Sequence, residues 1–113
     1  MIVPDLKKTL AEHKKWLESN FAEGEPANLI DANLHRANLC DADLRGVNID
    51  YSCWPLWRGS FDVIVDRRIA AQLAYHFCRV ICDDPEVIQC QKALYELANT
   101  FHRVGELPRL GDD

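Results

Sequence analysis

Through the middle of the chain, apolar positions recur every five residues. From Ala27 the sequence reads Ala27-Asn28-Leu29-Ile30-Asp31, Ala32-Asn33-Leu34-His35-Arg36, Ala37-Asn38-Leu39-Cys40-Asp41, Ala42-Asp43-Leu44-Arg45-Gly46 and Val47-Asn48-Ile49-Asp50-Tyr51. Each pentad has a small apolar residue, then Asn or Asp, then Leu or Ile, then two variable positions. A period of five fits neither the 3.6 of a helix nor the 2.0 of a strand. It predicts a chain that turns a corner in every pentad. Leu29, Leu34, Leu39, Leu44 and Ile49 would then point to a common axis, with Ala27, Ala32, Ala37, Ala42 and Val47 inward beside them. The Asn and Asp positions suit the corners, because short polar side chains bond nearby backbone groups.

On both sides the pattern changes to helical spacing. Residues 5 to about 19 place Leu6, Leu10, His13 and Leu17 on one face, with Lys7, Lys8, Lys14 and Lys15 away from it. Glu23-Gly24-Glu25-Pro26 ends that helix. After the pentads, Phe61-Asp62-Val63-Ile64-Val65 reads as a further side of the coil or a short strand. Asp66 is the expected N-cap of a helix to about Cys82, with the stripe Ile69, Leu73, Phe77 and Val80 widened by Ala70, Ala74 and Ile81. In Asp83-Asp84-Pro85-Glu86 the second Asp caps a new helix and Pro85 opens it. That helix runs to about His102 with Val87, Cys90, Leu94, Leu97 and Phe101 in line. Gly105 and Pro108 end it, and Gly111-Asp112-Asp113 should fray.

The pentads resemble the pentapeptide-repeat family. The resemblance implies a right-handed quadrilateral β-helix of about one and a quarter coils, in which Leu29 and Ile49 stack in neighbouring coils. The expected fold is therefore α+β: a short pentapeptide-repeat β-helix, with residues 61–65 as its candidate extension, capped by an N-terminal helix and a C-terminal helical hairpin. We divide a single domain into a capping helix and linker (1–26), the repeats (27–51), an aromatic linker (52–65) and a hairpin with tail (66–113).

Length and composition narrow the function classes. The chain has 113 residues, enough for one modest core. Its formal charge of −5 disfavours phosphate binding as the main task, so no direct nucleic-acid contact is expected. No apolar run is long enough to span a bilayer, and the first residues, Met1 to Lys8, carry no secretory pattern. Five cysteines without an export signal fit reduced thiols in a cytoplasm.

Candidate chemistry is sparse. Cys78 and Cys82 share a helix face, with His76 near and Cys90 and His102 on the next helix, but no recognised zinc spacing is present. Packing is the preferred reading, and neither a metal nor a cofactor is expected. Cys40 should face outward between Arg36 and Arg45, one pentad away on either side. No nucleophile elbow and no Gly-rich phosphate loop occurs, so no enzyme is expected. Trp54-Pro55-Leu56-Trp57 suits either a plug for the coil's end or an interface anchor.

These features predict a non-enzymatic protein-interaction module, self-associating as a homodimer. The family resemblance adds a more specific form, an acidic nucleic-acid mimic that inhibits a DNA- or RNA-handling enzyme. The candidate surface is Asp31, Asp41, Asp43, Asp50, Trp54 and Trp57. The acid is spread along the chain, since within the pentads four Asp stand against Arg36 and Arg45. The alternative is a small enzyme or ligand-binding domain with a pocket between the coil and the hairpin.

Overall fold

Each pentad closes one β-turn. In the computed structural model, which describes residues 5–111, the N–H of Ala32, Ala37, Ala42, Val47 and Ser52 donates to the carbonyl of the Leu or Ile three residues earlier, at 2.8–3.1 Å. The last residue inside every turn has positive φ: Asp31, Arg36, Asp41, Gly46 and Tyr51 lie between 60° and 81°. A single positive φ at that place is the mark of a type II turn. The Asn or Asp of each pentad completes it. Oδ1 of Asn28, Asn33, Asn38, Asp43 and Asn48 accepts from the N–H two residues on, at 2.9–3.1 Å.

Four such turns bring the chain back beside itself. Asn28 pairs with Asn48 and Asn33 with Cys53, twenty residues on, while Asp43 pairs with Ile64, twenty-one on. The extra residue is taken up between Cys53 and Gly59, since the Leu34 N–H donates to the Cys53 carbonyl nineteen residues on and the Leu39 N–H to the Gly59 carbonyl twenty on. Leu29, Leu34, Leu39 and Leu44 are fully buried, and Ile49 and Val47 nearly so. Ala37 and Ala42 remain half-buried.

The expected β-helix is corrected by these observations. The described residues contain three α-helices and a single 3-10 turn, but no strand and no sheet. The parallel pairings are isolated bridges. The physical reason is that the turn takes up most of every pentad. What remains between corners is too short for two consecutive bridges, so no ladder forms. The same holds for residues 61–65, which contribute only the bridge at Ile64.

The described residues divide into two compact units, one ending at Asp66 and one beginning at Arg67. The first holds α1 (Leu6–Glu18) and the turns. Asp5 caps α1 by accepting from the Lys8 N–H. Gly24, at φ +74°, permits the return from the helix, because a Cβ there would stand 2.4 Å from the Glu12 carbonyl oxygen.

The second unit packs α2 (Arg67–Cys78) against α3 (Pro85–Ala98). Asp84 caps α3 through the N–H groups of Glu86 and Val87, with Pro85 in its first turn, as the sequence predicts. Two expectations are corrected. Helix α2 stops at Cys78 rather than Cys82 and buries Ile69, Ala71, Gln72 and Tyr75, leaving Phe77, Val80 and Ile81 exposed. Helix α3 stops at Ala98 rather than His102 and buries Gln91 in place of Cys90. The polar Gln91 turns inward because its Nε2 donates to the carbonyls of Phe77 and Val80, at 2.9 and 3.0 Å, at and just past the end of α2. Tyr75, Ala98 and Phe101 form the core of this unit, under Val104, Leu107 and Leu110 of the tail. The predicted fraying of Asp112 and Asp113 lies outside the described residues.

Candidate functional site

The turn lattice fixes an outer surface. In each pentad, the Asx bond and the positive-φ corner together orient the two variable residues. Asp31, His35, Arg36, Cys40, Asp41, Arg45 and Tyr51 are exposed there. Unlike side chains thus stand on a repeating backbone.

The candidate acidic residues are not equivalent. Asp31 is exposed, and its N–H donates to the carbonyl of half-buried Asp50 at 2.9 Å, so the turns bring these two together. Asp41 stands at a different corner. Asp62, which the sequence reading did not single out, repeats the corner conformation of Asp41 with φ 61°, one residue later than the twenty-residue register. Asp43 is engaged by Arg45, whose Nε lies 2.9 and 3.1 Å from its two oxygens and whose Nη2 lies 2.6 Å from Oδ2. This bond to the Arg45 guanidinium holds the Asp43 carboxyl below its ordinary pKa, against the opposing effect of desolvation, and raises that of Arg45. The carboxylate of Asp43 is therefore already neutralised by its neighbour.

The aromatic pair also separates. Trp54 is half-buried, and Trp57 is 45% exposed with its Nε1 donating to the Ala37 carbonyl at 3.0 Å. Between them Pro55 is fully buried. Trp57 thus hooks the linker to the turns while keeping much of its ring in solvent.

A histidine on the apolar stripe of α1 has a polar role that helical periodicity does not reveal. His13 is fully buried. Its Nδ1 accepts from the Ala27 N–H at 3.0 Å, which leaves Nε2 to donate to the Arg45 carbonyl at 2.8 Å. One ring thus ties α1 to the first and fourth pentads. A short sequence gap between a helical His and a new repeat was the only available hint.

Beside this tie, an open groove of about 610 Å³ runs between α1 and the third and fourth pentads. Leu6, Leu10, Ala11 and Ala42 supply its apolar lining, with Lys7 and Lys14 on the helix and Asp41 and Asp43 opposite. Cys40 also lines it, donating from Sγ to the Arg58 carbonyl at 3.2 Å. All five cysteines are free thiols. Cys78 bonds the Gln91 carbonyl and its pKa is raised by burial, whereas Cys82 and Cys90 are exposed. Among the described residues, no three His, Cys, Asp or Glu side chains gather where they could hold a metal ion. No helix among them is long and apolar enough to cross a membrane.

Comparison with known families matches residues 27–53 to the family described as "Pentapeptide repeats (8 copies)". The segment is thus a pentapeptide-repeat segment, as the pentads implied. No curated protein and no solved structure matches the chain.

Proposed function

We propose that this chain is a non-enzymatic protein-interaction module whose repeat presents variable side chains on a backbone fixed by its own turns. One observation carries the reading. All five pentads repeat the same Asx bond and the same i to i+3 turn, while their fourth and fifth residues differ in charge, size and chemistry. Such constancy beneath variation suits recognition, because the ordering entropy of the contact residues is spent on folding rather than on binding.

The partner that this surface fits is basic. Asp31, Asp41 and Asp62 are exposed at corners, against Arg36 and Arg45, and Arg45 is committed to Asp43. An inhibitor that imitates nucleic acid before a DNA- or RNA-handling enzyme is the specific form of this proposal. Asp31, Asp41 and Asp50 support it, and Asp43 contributes little net charge to it. The free thiols suit a cytoplasmic setting for such a module.

The test compares capture from the native cell by the wild-type chain and by the Asp31→Lys, Asp41→Lys double variant. A basic protein held by the first and released by the second should rebind when both components are purified, more weakly at higher salt. Binding that survives charge reversal and ignores salt would overturn the acidic surface. Substrate turnover by the purified chain would overturn the module.

A further inference from the structure

We infer that a second copy of this chain docks head to tail, with the tip of the α2–α3 hairpin of one copy entering the groove beside α1 of the other. The inference shares only Asp41 with the acidic-corner reading, since its surfaces are the hairpin tip and the apolar groove, and its test leaves Asp41 unchanged.

The tip is an apolar knob held firmly in place. Between α2 and α3, Ile81 is 102% exposed, Val80 54% and, at the end of α2, Phe77 39%. A mobile loop could hide such residues, but this one is tied at both ends. Gln91 Nε2 bonds the carbonyls of Phe77 and Val80, and Asp84 caps α3. Contiguous exposed apolar residues rimmed by charge mark interaction sites. Exposed Arg79, Asp83 and Glu86 flank the tip along the chain.

The groove carries the complementary pattern. Its apolar lining is Leu6, Leu10 and Ala11, and at about 610 Å³ it falls within the roughly 300–1,000 Å³ of clefts that enclose ligand-sized groups. Lys7 and Lys14 edge it on the helix, facing where the tip's carboxylates would arrive. Lys14 is 3.8 Å from Glu18 in an exposed pair, loose enough to be exchanged. Asp41, on the other wall, would meet Arg79. Both signs of charge are therefore matched around one apolar contact, which orients docking as well as attracting it. Because knob and groove are different surfaces, the contact is heterologous and leads to rings or open chains. A contact this small buries less than about 1,200 Å² and is weak, so assembly requires high concentration.

The arrangement also brings two free cysteines together. Cys82 is exposed on the tip, and Cys40 lines the groove.

Three measurements test this. First, light scattering of the purified chain up to about 1 mM, chosen because small interfaces are weak, should give a mass that rises with concentration and falls with added salt. Ile81→Asp and Ala11→Glu, both at exposed positions and both checked for folding by circular dichroism, should each raise the concentration needed by on the order of tenfold or more. Second, an equal mixture of the two variants should recover a dimer, because one intact groove and one intact tip remain. A symmetric tip-to-tip dimer would instead leave Ala11→Glu self-associating like the wild-type chain and give no mixed pair with Ile81→Asp, and this result overturns the proposal. Third, a chain retaining only Cys40 and Cys82 is oxidised with diamide, which takes up the two thiol hydrogens as the disulfide forms. Mixed labelled and unlabelled chains should give an intermolecular Cys40–Cys82 peptide. A Cys82–Cys82 product, or a 13.0 kDa monomer at every concentration, overturns head-to-tail docking.

Discussion

In the repeat unit, the Asn and Asp side chains bond the backbone two residues on, five times over. In the helical unit, the corresponding polar side chains reach much farther along the chain. Gln91 bonds carbonyls fourteen and eleven residues back, and Asn99 bonds both the N–H and the carbonyl of Leu110, eleven residues on. The first unit therefore places its corners by local rules, and joins successive rounds of turns through its apolar column and through backbone bonds about twenty residues apart. The second depends on distant polar bonds to decide where its helices end. Local bonds survive loss of tertiary packing better than distant ones, so the two units should respond differently to equivalent damage.

The strongest way to break the comparison is to open the apolar column. Leu39 is fully buried in the row of leucines. Leu39→Ala should cost about 2–5 kcal/mol, the usual range for a leucine truncated in a core. Trp16, Trp54 and Trp57 all lie in the first unit, so tryptophan emission during urea unfolding reads that unit alone. An unchanged midpoint would mean that the column is not a core and that the turns hold the unit unaided.

Within the first unit His13 joins Cys40, Trp57 and Asp66 in bonding at long range, and its bonds span fourteen and thirty-two residues. His13→Phe keeps an aromatic ring but leaves the buried Ala27 N–H without its acceptor, which should cost about 1–3 kcal/mol. Hydrogen exchange at Ala27 should quicken while the Asx-bonded amides of the later pentads stay protected. Retained stability and protection would show that apolar packing alone seats α1.

Gln91→Leu asks the same question of the helical unit. Replacing the amide by an apolar side chain of similar size removes two bonds, each worth about 0.5–1.5 kcal/mol net. Helix α2 should fray from Cys78 backward, read as faster exchange at Arg79 and Val80, with tryptophan emission unmoved. If α2 remains as protected as before, its end is set by the tail packing over Tyr75 and Phe101 instead.

The same contrast explains what could be read from the residues alone. The pentad register, the buried row from Leu29 to Ile49, the Asx corners and the Asp84 cap are all written in short-range spacing. The β-helix inferred from that register did not follow, because a spacing says that the chain turns but not how many residues remain to form a ladder. In the hairpin, apolar periodicity pointed to Phe77, Val80 and Cys90 as inward residues. The inward places instead include Gln72 and Gln91, of which Gln91 meets backbone groups that no periodicity displays. Among the candidate site residues, the outward placement of Asp31 and Asp41 was legible. The capture of Asp43 by Arg45 was not, since a two-residue separation does not by itself imply a pair.

That ion pair gives the smallest expected effect and the cleanest separation of a turn from a charge. Asp43 occupies the position held by Asn28, Asn33, Asn38 and Asn48 in the other pentads. Its Oδ1 accepts from the Arg45 N–H at 3.1 Å, a bond that an Asn side chain can make equally well. Asp43→Asn should therefore preserve the corner and remove only the pairing with the guanidinium. The Asp43 side chain is 14% exposed but that of Arg45 is 58%, so solvent screens the pair and its loss should lower the urea midpoint only slightly near neutral pH. Because the folded carboxyl is held below its ordinary value, the unfolded chain binds the proton more readily. The stabilisation is thus complete above the unfolded pKa of about 3.9 and fades as the pH falls through the lower folded value. Urea midpoints of the wild-type chain and of Asp43→Asn should differ slightly at pH 7 and converge in acid. A gap that never closes as the pH is lowered, or a large loss at pH 7, would assign the role of Asp43 to the turn itself and make the bond to Arg45 incidental.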